Sequence, residues 1–207
     1  MHKRVILLIL SFIFFGNLTF SQESGTPAES RKKNLKHLLD YRYRGGFHSF
    51  ERLFLKTVEY PEYTKKQCVV GMTIVRFEVD CEGEIKNLVI KNPMRWGLDQ
   101  QIEAFFQATV GNWNKCDDEK YTRFEIPIQF TINETETNSI DAMLVYQEEL
   151  TGYTCKSDDY FREKLDKAIE KNSKKKAIKY VSELIRRNPY DAALYTLRTE
   201  LVEGKKK

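Results

Sequence analysis

Along the middle of this chain the spacing of hydrophobic positions predicts helix, hairpin, helix and strand in succession. Phe50, Leu53, Phe54, Thr57 and Val58 recur at i, i+3, i+4, i+7 and i+8, the pattern of an amphipathic helix. Tyr60-Pro61-Glu62 breaks it, with Pro61 suited to the first position of a second short helix. The period then becomes two, with Thr73, Val75, Phe77 and Val79 on one face and Met72, Ile74, Arg76 and Glu78 on the other. Asp80-Cys81-Glu82-Gly83 is turn chemistry, and Glu84 to Ile90 returns as the second arm of a hairpin that Asn92-Pro93 ends. Leu98, Ile102, Phe105, Phe106 and Thr109 mark one side of a further helix, with Gly111 placed as its C-terminal cap. Finally Phe124, Ile126, Ile128, Phe130 and Ile132 alternate with Arg123, Glu125, Pro127, Gln129 and Thr131, the cleanest strand in the sequence. The fold class expected is α+β: a small antiparallel three-stranded sheet packed with helices.

The flanks of this region read differently. Residues 23–44 are polar and charged, with Leu35, Leu38 and Leu39 enough for one short helix, and are taken as a linker. Residues 133–157 are a connecting segment, and 158–204 a helical module. Within the module Asp158 or Asp159 can cap a helix bearing Phe161, Leu165, Ala168 and Ile169. A second helix carries Ala177, Tyr180, Val181, Leu184 and Ile185, and Asn188-Pro189-Tyr190 breaks to a third with Leu194, Leu197, Leu201 and Val202. Two helices, an Asn-Pro break and a restart resemble one and a half tetratricopeptide repeats, whose period is about 34 residues. So short a piece is expected to pack on the sheet domain or on a partner. Lys174-Lys175-Lys176 and the terminal lysines 205–207 read as solvated charge.

The first 22 residues have the make-up of an export signal. Lys3 and Arg4 precede an apolar run from Val5 to Phe15, and Thr19 and Ser21 are spaced for signal-peptidase cleavage before Gln22. Asn17 interrupts the run well short of the about 20 apolar residues a membrane span needs. Removing this segment lowers the net charge from +4 to +2, so the mature chain carries no electrostatic footprint for nucleic acid. Export also changes the meaning of Cys68, Cys81, Cys116 and Cys155, an even number for which disulfides are the default in an oxidising compartment. At about 3.3 Å per residue, Cys68 and Cys81 at opposite ends of one strand would stand roughly 40 Å apart, which leaves two pairings.

Little in the sequence points to chemistry. G-x-S-x-G, G-x-G-x-x-G, the P-loop and H-E-x-x-H are all missing. The mature chain keeps only His37 and His48 as imidazoles, before the predicted core, and none of the cysteines forms a C-x-x-C pair. Asp117-Asp118 and Asp158-Asp159 read as turn or cap residues. No enzyme activity, metal site or cofactor is expected.

One ordered set of residues resembles a known family. Tyr60-Pro61-Glu62, Gly71 opening a strand, the turn from Asp80 to Gly83, Leu98-Asp99 starting a helix, Trp113 after it and Ile126-Pro127-Ile128-Gln129-Phe130 look like the C-terminal domain of TonB over roughly residues 45–132. The Gly45-Gly46 lead-in and the Trp113-Asn114-Lys115-Cys116 ending are similar to periplasmic relatives of Bacteroidetes type. The resemblance implies a periplasmic domain that grips a peptide from an outer-membrane receptor. TonB itself is an energy transducer with a retained membrane anchor and a long Pro-rich arm. Here the anchor is expected to be cleaved, and five prolines in the whole chain make no such arm.

In the TonB-like arrangement the last strand lies at a sheet edge, where an extended peptide adds as another strand. Arg123, Glu125, Pro127, Gln129 and Thr131 share one hydrogen-bonding side of it, and are the expected partner-binding positions. Pro127 has no N–H, which fits an edge but carries two opposed meanings: a block on pairing, or one missing donor in a usable docking edge. An antiparallel partnership of first and last strands would carry Cys81 towards Cys116 and leave Cys68 with Cys155. The function expected is thus a non-enzymatic periplasmic adaptor, exported through a cleaved signal, for a protein or peptide of outer-membrane transport. A membrane-anchored energy-transducer component and a homodimeric structural subunit of an envelope assembly are the alternatives.

Overall fold

The first described element is a helix much longer than the short one expected within the linker. Thr26 accepts a hydrogen bond from the Glu29 N–H (3.2 Å) and Glu29 accepts one from the Thr26 N–H (2.6 Å), a reciprocal capping box that starts α1 (Pro27–Arg42). Its apolar residues are few, but Leu39 is fully buried, and so is Arg42. The Arg42 guanidinium donates to the carbonyls of Asp80 (2.7 Å) and Asn114 (3.3 Å), supplied from far along the chain. Charge density therefore concealed a helix whose docking depends on distant carbonyl acceptors. The computed structural model describes residues 26–116, 122–133, 135, 137, 140–152 and 154–204. The expected signal segment 1–22, the Asp117-Asp118 pair and the terminal lysines lie outside the described residues.

The central region follows the hydrophobic pattern closely. α2 (Gly46–Thr57) buries Phe47, Phe50 and Phe54. α3 (Glu62–Lys66) starts one residue later than expected, with Pro61 as its cap. β1 (Gly71–Val79) and β2 (Ile85–Lys91) form the antiparallel hairpin, and α4 (Leu98–Ala108) and β3 (Arg123–Ile132) follow. The even-numbered side chains of β3 meet Phe50, Phe54, Phe105, Phe106 and Trp113 in one core. That core is largely edge-to-face aromatic packing, with Phe50 5.0 Å from Phe105 and 5.9 Å from Trp113 between ring centroids.

The sheet itself is a correction. The fold is α+β as expected, but four strands are present among the described residues, not three, and the sheet is mixed. β4 (Leu144–Glu148) lies within the expected connecting segment and pairs parallel to β3, giving the order β2-β1-β3-β4. Five residues are too short to show a convincing period of two. The reversal that makes this pairing possible starts at Asn133, held at φ 48°, whose side chain accepts from the Leu150 N–H (2.6 Å) and donates to its carbonyl (2.8 Å).

The opposite face of the sheet is also partly covered, by α5 (Asp158–Glu170), α6 (Lys174–Arg187) and α7 (Ala192–Glu203). α5 is capped by Ser157, whose hydroxyl accepts from the Tyr160 N–H, so Asp158 and Asp159 fall in the first turn instead of at the cap. The three helices share a core of Leu165, Ala168, Ala177, Val181, Leu184, Ile185 and Leu194. Arg187 is buried against it between Asp158 (3.0 Å) and Glu183 (3.1 Å), with its guanidinium 4.5 Å from the Phe161 ring centroid. The module sits on the sheet through α6, whose last turn approaches Gly71 so closely that a Cβ there would lie 2.7 Å from the Arg186 carbonyl. Met72 and Ile74, on the strand face that also carries Arg76 and Glu78, are buried.

The cysteines pair as Cys68–Cys155 and Cys81–Cys116, with Cα separations of 5.5 and 4.5 Å. Antiparallel pairing of β1 with β3 brings the end of the one beside the approach to the other. Two closed disulfides fit an oxidising, exported compartment.

Candidate functional site

The direction of the backbone groups along β3 can be read from its flanking bonds. The Thr122 carbonyl accepts from the Val79 N–H (2.7 Å), so even positions face β1 and odd positions face the other way, as expected. The odd side, however, is not a free edge along its whole length. The Pro127 carbonyl accepts from the Met143 N–H and the Glu148 carbonyl from the Asn133 N–H, both at 2.9 Å, and the ladder with β4 runs from Ile128 to Ile132. The place expected for an added strand is thus half filled by the chain's own β4. Gln129 and Thr131 are buried beneath the crossover, bonded to Thr137 (3.1 Å) and the Thr135 carbonyl (3.3 Å). Their assignment to an open docking edge is corrected by that burial and by the β4 ladder.

Pro127 explains where β4 stops. Continuing the parallel ladder toward the start of β3 would require an N–H at position 127, and proline has none. Arg123 and Glu125 lie beyond that point, with their outward backbone groups on the side that β4 leaves uncovered. α1 passes this half of the strand, and the two enclose a groove of about 280 Å³. Its apolar lining is Leu35, Leu38, Pro127 and Met143, and its rim is Arg31, Lys32, Glu125, Asp141 and Tyr190.

The rim is a connected polar chain. Arg31 pairs with the buried carboxylate of Asp141, and its guanidinium lies 4.8 Å from the Tyr190 ring centroid. The Tyr190 hydroxyl donates to Glu125 Oε1 (3.2 Å), and Glu125 Oε2 accepts from Arg76 Nε (2.5 Å). Burial, followed by the neighbouring Glu125 carboxylate, pushes the Tyr190 phenol above its ordinary value, and burial does the same to Tyr60. Both phenols are therefore neutral donors at physiological pH. A raised folded-state pKa contributes stability that is complete below the unfolded value near 10 and is lost as pH climbs past it. Urea midpoints should accordingly fall above pH 10, and Tyr190→Phe should reduce that fall; an unchanged slope would show that Tyr190 is solvated in the native state.

The other positions of the TonB-like series hold the scaffold. Tyr60 is buried and donates its hydroxyl to the Val69 carbonyl. Asp80 accepts from the Glu84 N–H (2.8 Å) and pairs with Lys86 (2.5 Å), closing the hairpin turn. Gly83 takes φ 92°, and a Cβ there would meet the Trp113 carbonyl at 2.8 Å. Trp113 donates from Nε1 to Thr109 Oγ1 (3.2 Å).

Of the expected docking residues, the groove brings together Glu125 and Pro127; Arg123 sits nearby, paired with Glu78 (3.2 Å). Sequence reasoning missed Arg31, Asp141, Met143 and Tyr190. The Thr26-Pro27-Ala28-Glu29 capping pattern was a readable signal for α1, but nothing local linked Tyr190 to Glu125, 65 residues away. Among the described residues no cluster of three or more His, Cys, Asp or Glu side chains could hold a metal ion, and no helix is long and apolar enough to cross a membrane. Comparison with protein-family models, with curated proteins and with solved structures finds no match to this chain.

Proposed function

We propose that the protein is a non-enzymatic periplasmic adaptor with a TonB-like sheet domain, and that it receives an extended peptide of an outer-membrane transport partner in the groove between α1 and the open half of β3. One observation carries this reading: the β4 ladder gives out at Pro127, and Glu125, next on the same side of β3, borders a largely apolar groove. A peptide laid there continues the line of β4 and gains main-chain bonds from β3, while Leu35, Leu38 and Met143 receive its side chains. Pro127 then acts as a boundary between the internal strand and the external one, which reconciles its two opposed meanings.

Titration of the mature protein with receptor N-terminal peptides, followed by amide NMR, should move the resonances of Arg123, Glu125, Leu35 and Leu38. A peptide N-methylated at alternate residues should lose this effect, because it lacks the donors a strand needs. Shifts confined to residues away from the groove would overturn the docking model.

A further inference from the structure

One side of the groove along β3 is a cradle built around a cation. Asp141 lies on the segment that leads into β4, and its side chain is only 8% exposed. A carboxylate so placed needs a counter-ion. Arg31 of α1 supplies it, while its own side chain stays 51% exposed. The guanidinium lies 4.8 Å from the Tyr190 ring centroid. That ring is fixed in turn, because its hydroxyl donates to Glu125 Oε1 (3.2 Å) and Glu125 is paired with Arg76. The acid, the ring and the support of the ring therefore come from the loop before β4, the turn between α6 and α7, and the sheet. α1 contributes the cation alone. The helix is anchored elsewhere, by Leu39 and Arg42, both fully buried near its C-terminal end. Lys32 reaches the Ile140 carbonyl (3.3 Å), and among the described residues no cation but Arg31 is paired with Asp141.

We propose that Arg31 is an internal stand-in for an arginine of the partner, and that a peptide received along β3 sets its own guanidinium on Asp141 and Tyr190 in place of Arg31. The proposal rests on the strand-docking reading and adds the partner's chemistry to it. Three features select that chemistry. Asp141 and Tyr190 share the rim of the groove with Glu125, so a side chain of a peptide beside Glu125 meets them directly. A neutral side chain that displaced Arg31 would leave a buried carboxylate without its counter-ion, whereas an incoming cation restores the pair. A guanidinium suits the cradle better than an ammonium, because one planar group both bonds the carboxylate and stacks on the ring. Leu35, Leu38, Pro127 and Met143 then receive apolar residues on either side of the arginine. Arg31 itself can return to water at little cost, since half of its side chain is already there. It thus competes with the ligand and lowers the affinity that is observed.

The first measurement needs no peptide. In the full mature protein Arg31→Ala leaves Asp141 unpaired and should lower the thermal midpoint. Low-millimolar methylguanidinium should restore part of that loss saturably, and should restore none of it when Arg31→Ala is combined with Asp141→Asn. The second measurement follows the anisotropy of a labelled Val-Thr-Val-Arg-Val-Thr-Val peptide and of its counterpart with glutamine for arginine. Arg31→Ala should bind the arginine peptide roughly tenfold more tightly than the parent protein does, the effect of one freed charge-assisted bond, and should not gain affinity for the glutamine peptide. Failure of methylguanidinium to rescue Arg31→Ala, or equal binding of the two peptides by that variant, would overturn the proposal. Rescue in a protein that binds neither peptide upholds the cradle as a guanidinium site and overturns strand docking, so the two failures are told apart.

Discussion

Replacing Phe50 with alanine is expected to destabilise the protein by about 3–5 kcal/mol, the range for removing a large buried ring whose site cannot collapse. Phe50 is fully buried, and its ring lies 5.1 Å from Tyr43, 5.0 Å from Phe105, 6.2 Å from Phe106 and 5.9 Å from Trp113. These neighbours come from the C-terminal cap of α1, from α4 and from the segment before β3, so no single element can shift to fill the void without leaving another contact. Domain stabilities are typically about 5–15 kcal/mol, and a loss of this size removes much of the margin. Equilibrium urea unfolding of wild type and Phe50→Ala measures it. A change below about 1 kcal/mol would mean that the aromatic cluster is not the continuous core described.

Removal of the Cys68–Cys155 bridge, by the double substitution Cys68→Ala and Cys155→Ala, is the second large effect. The bridge spans 87 residues and encloses the 35-residue loop closed by Cys81–Cys116, so its effective loop is shorter than its span. In the chain-entropy account each bridge then contributes about 4 kcal/mol. Local consequences distinguish the two. Cys68 lies just after α3, and Cys155 lies between β4 and α5; their link ties the strand beside the groove, and the approach to the helical module, to the sheet domain. Hydrogen exchange should quicken first in β4 and in α5 to α7, while β1 and β2 keep their protection. Uniform quickening across the sheet would show that the bridge only restricts the unfolded chain.

Some of this architecture could be read residue by residue, and some could not. β1, the hairpin turn and β3 were legible because one face of each is apolar and the other is less so, a pattern that survives without knowledge of neighbours. α4 was legible for the same reason. The buried character of Met72 and Ile74 was not, because their cover comes from α6, more than 100 residues away. α1 was read as a linker because its buried Arg42 is satisfied by carbonyls of the hairpin end and of Asn114. Charge in a sequence signals solvent until partners are known. Of the candidate groove, only Glu125 and Pro127 were marked in advance.

By itself, the sequence determined most of the alternating and helical segments, the expectation of two bridges among four cysteines and the parity of β3, all of which depend on period, composition and short geometric limits. Tertiary structure alone decided which side of β3 stays open. Five residues of β4, unremarkable in pattern, occupy half of that edge because a chain reversal at Asn133 returns them to it in parallel. They stop at Pro127 because a ladder cannot continue without a donor. Strand periodicity specifies which residues share a face, whereas edge status depends on which segment arrives alongside, and that is a property of the folded chain as a whole.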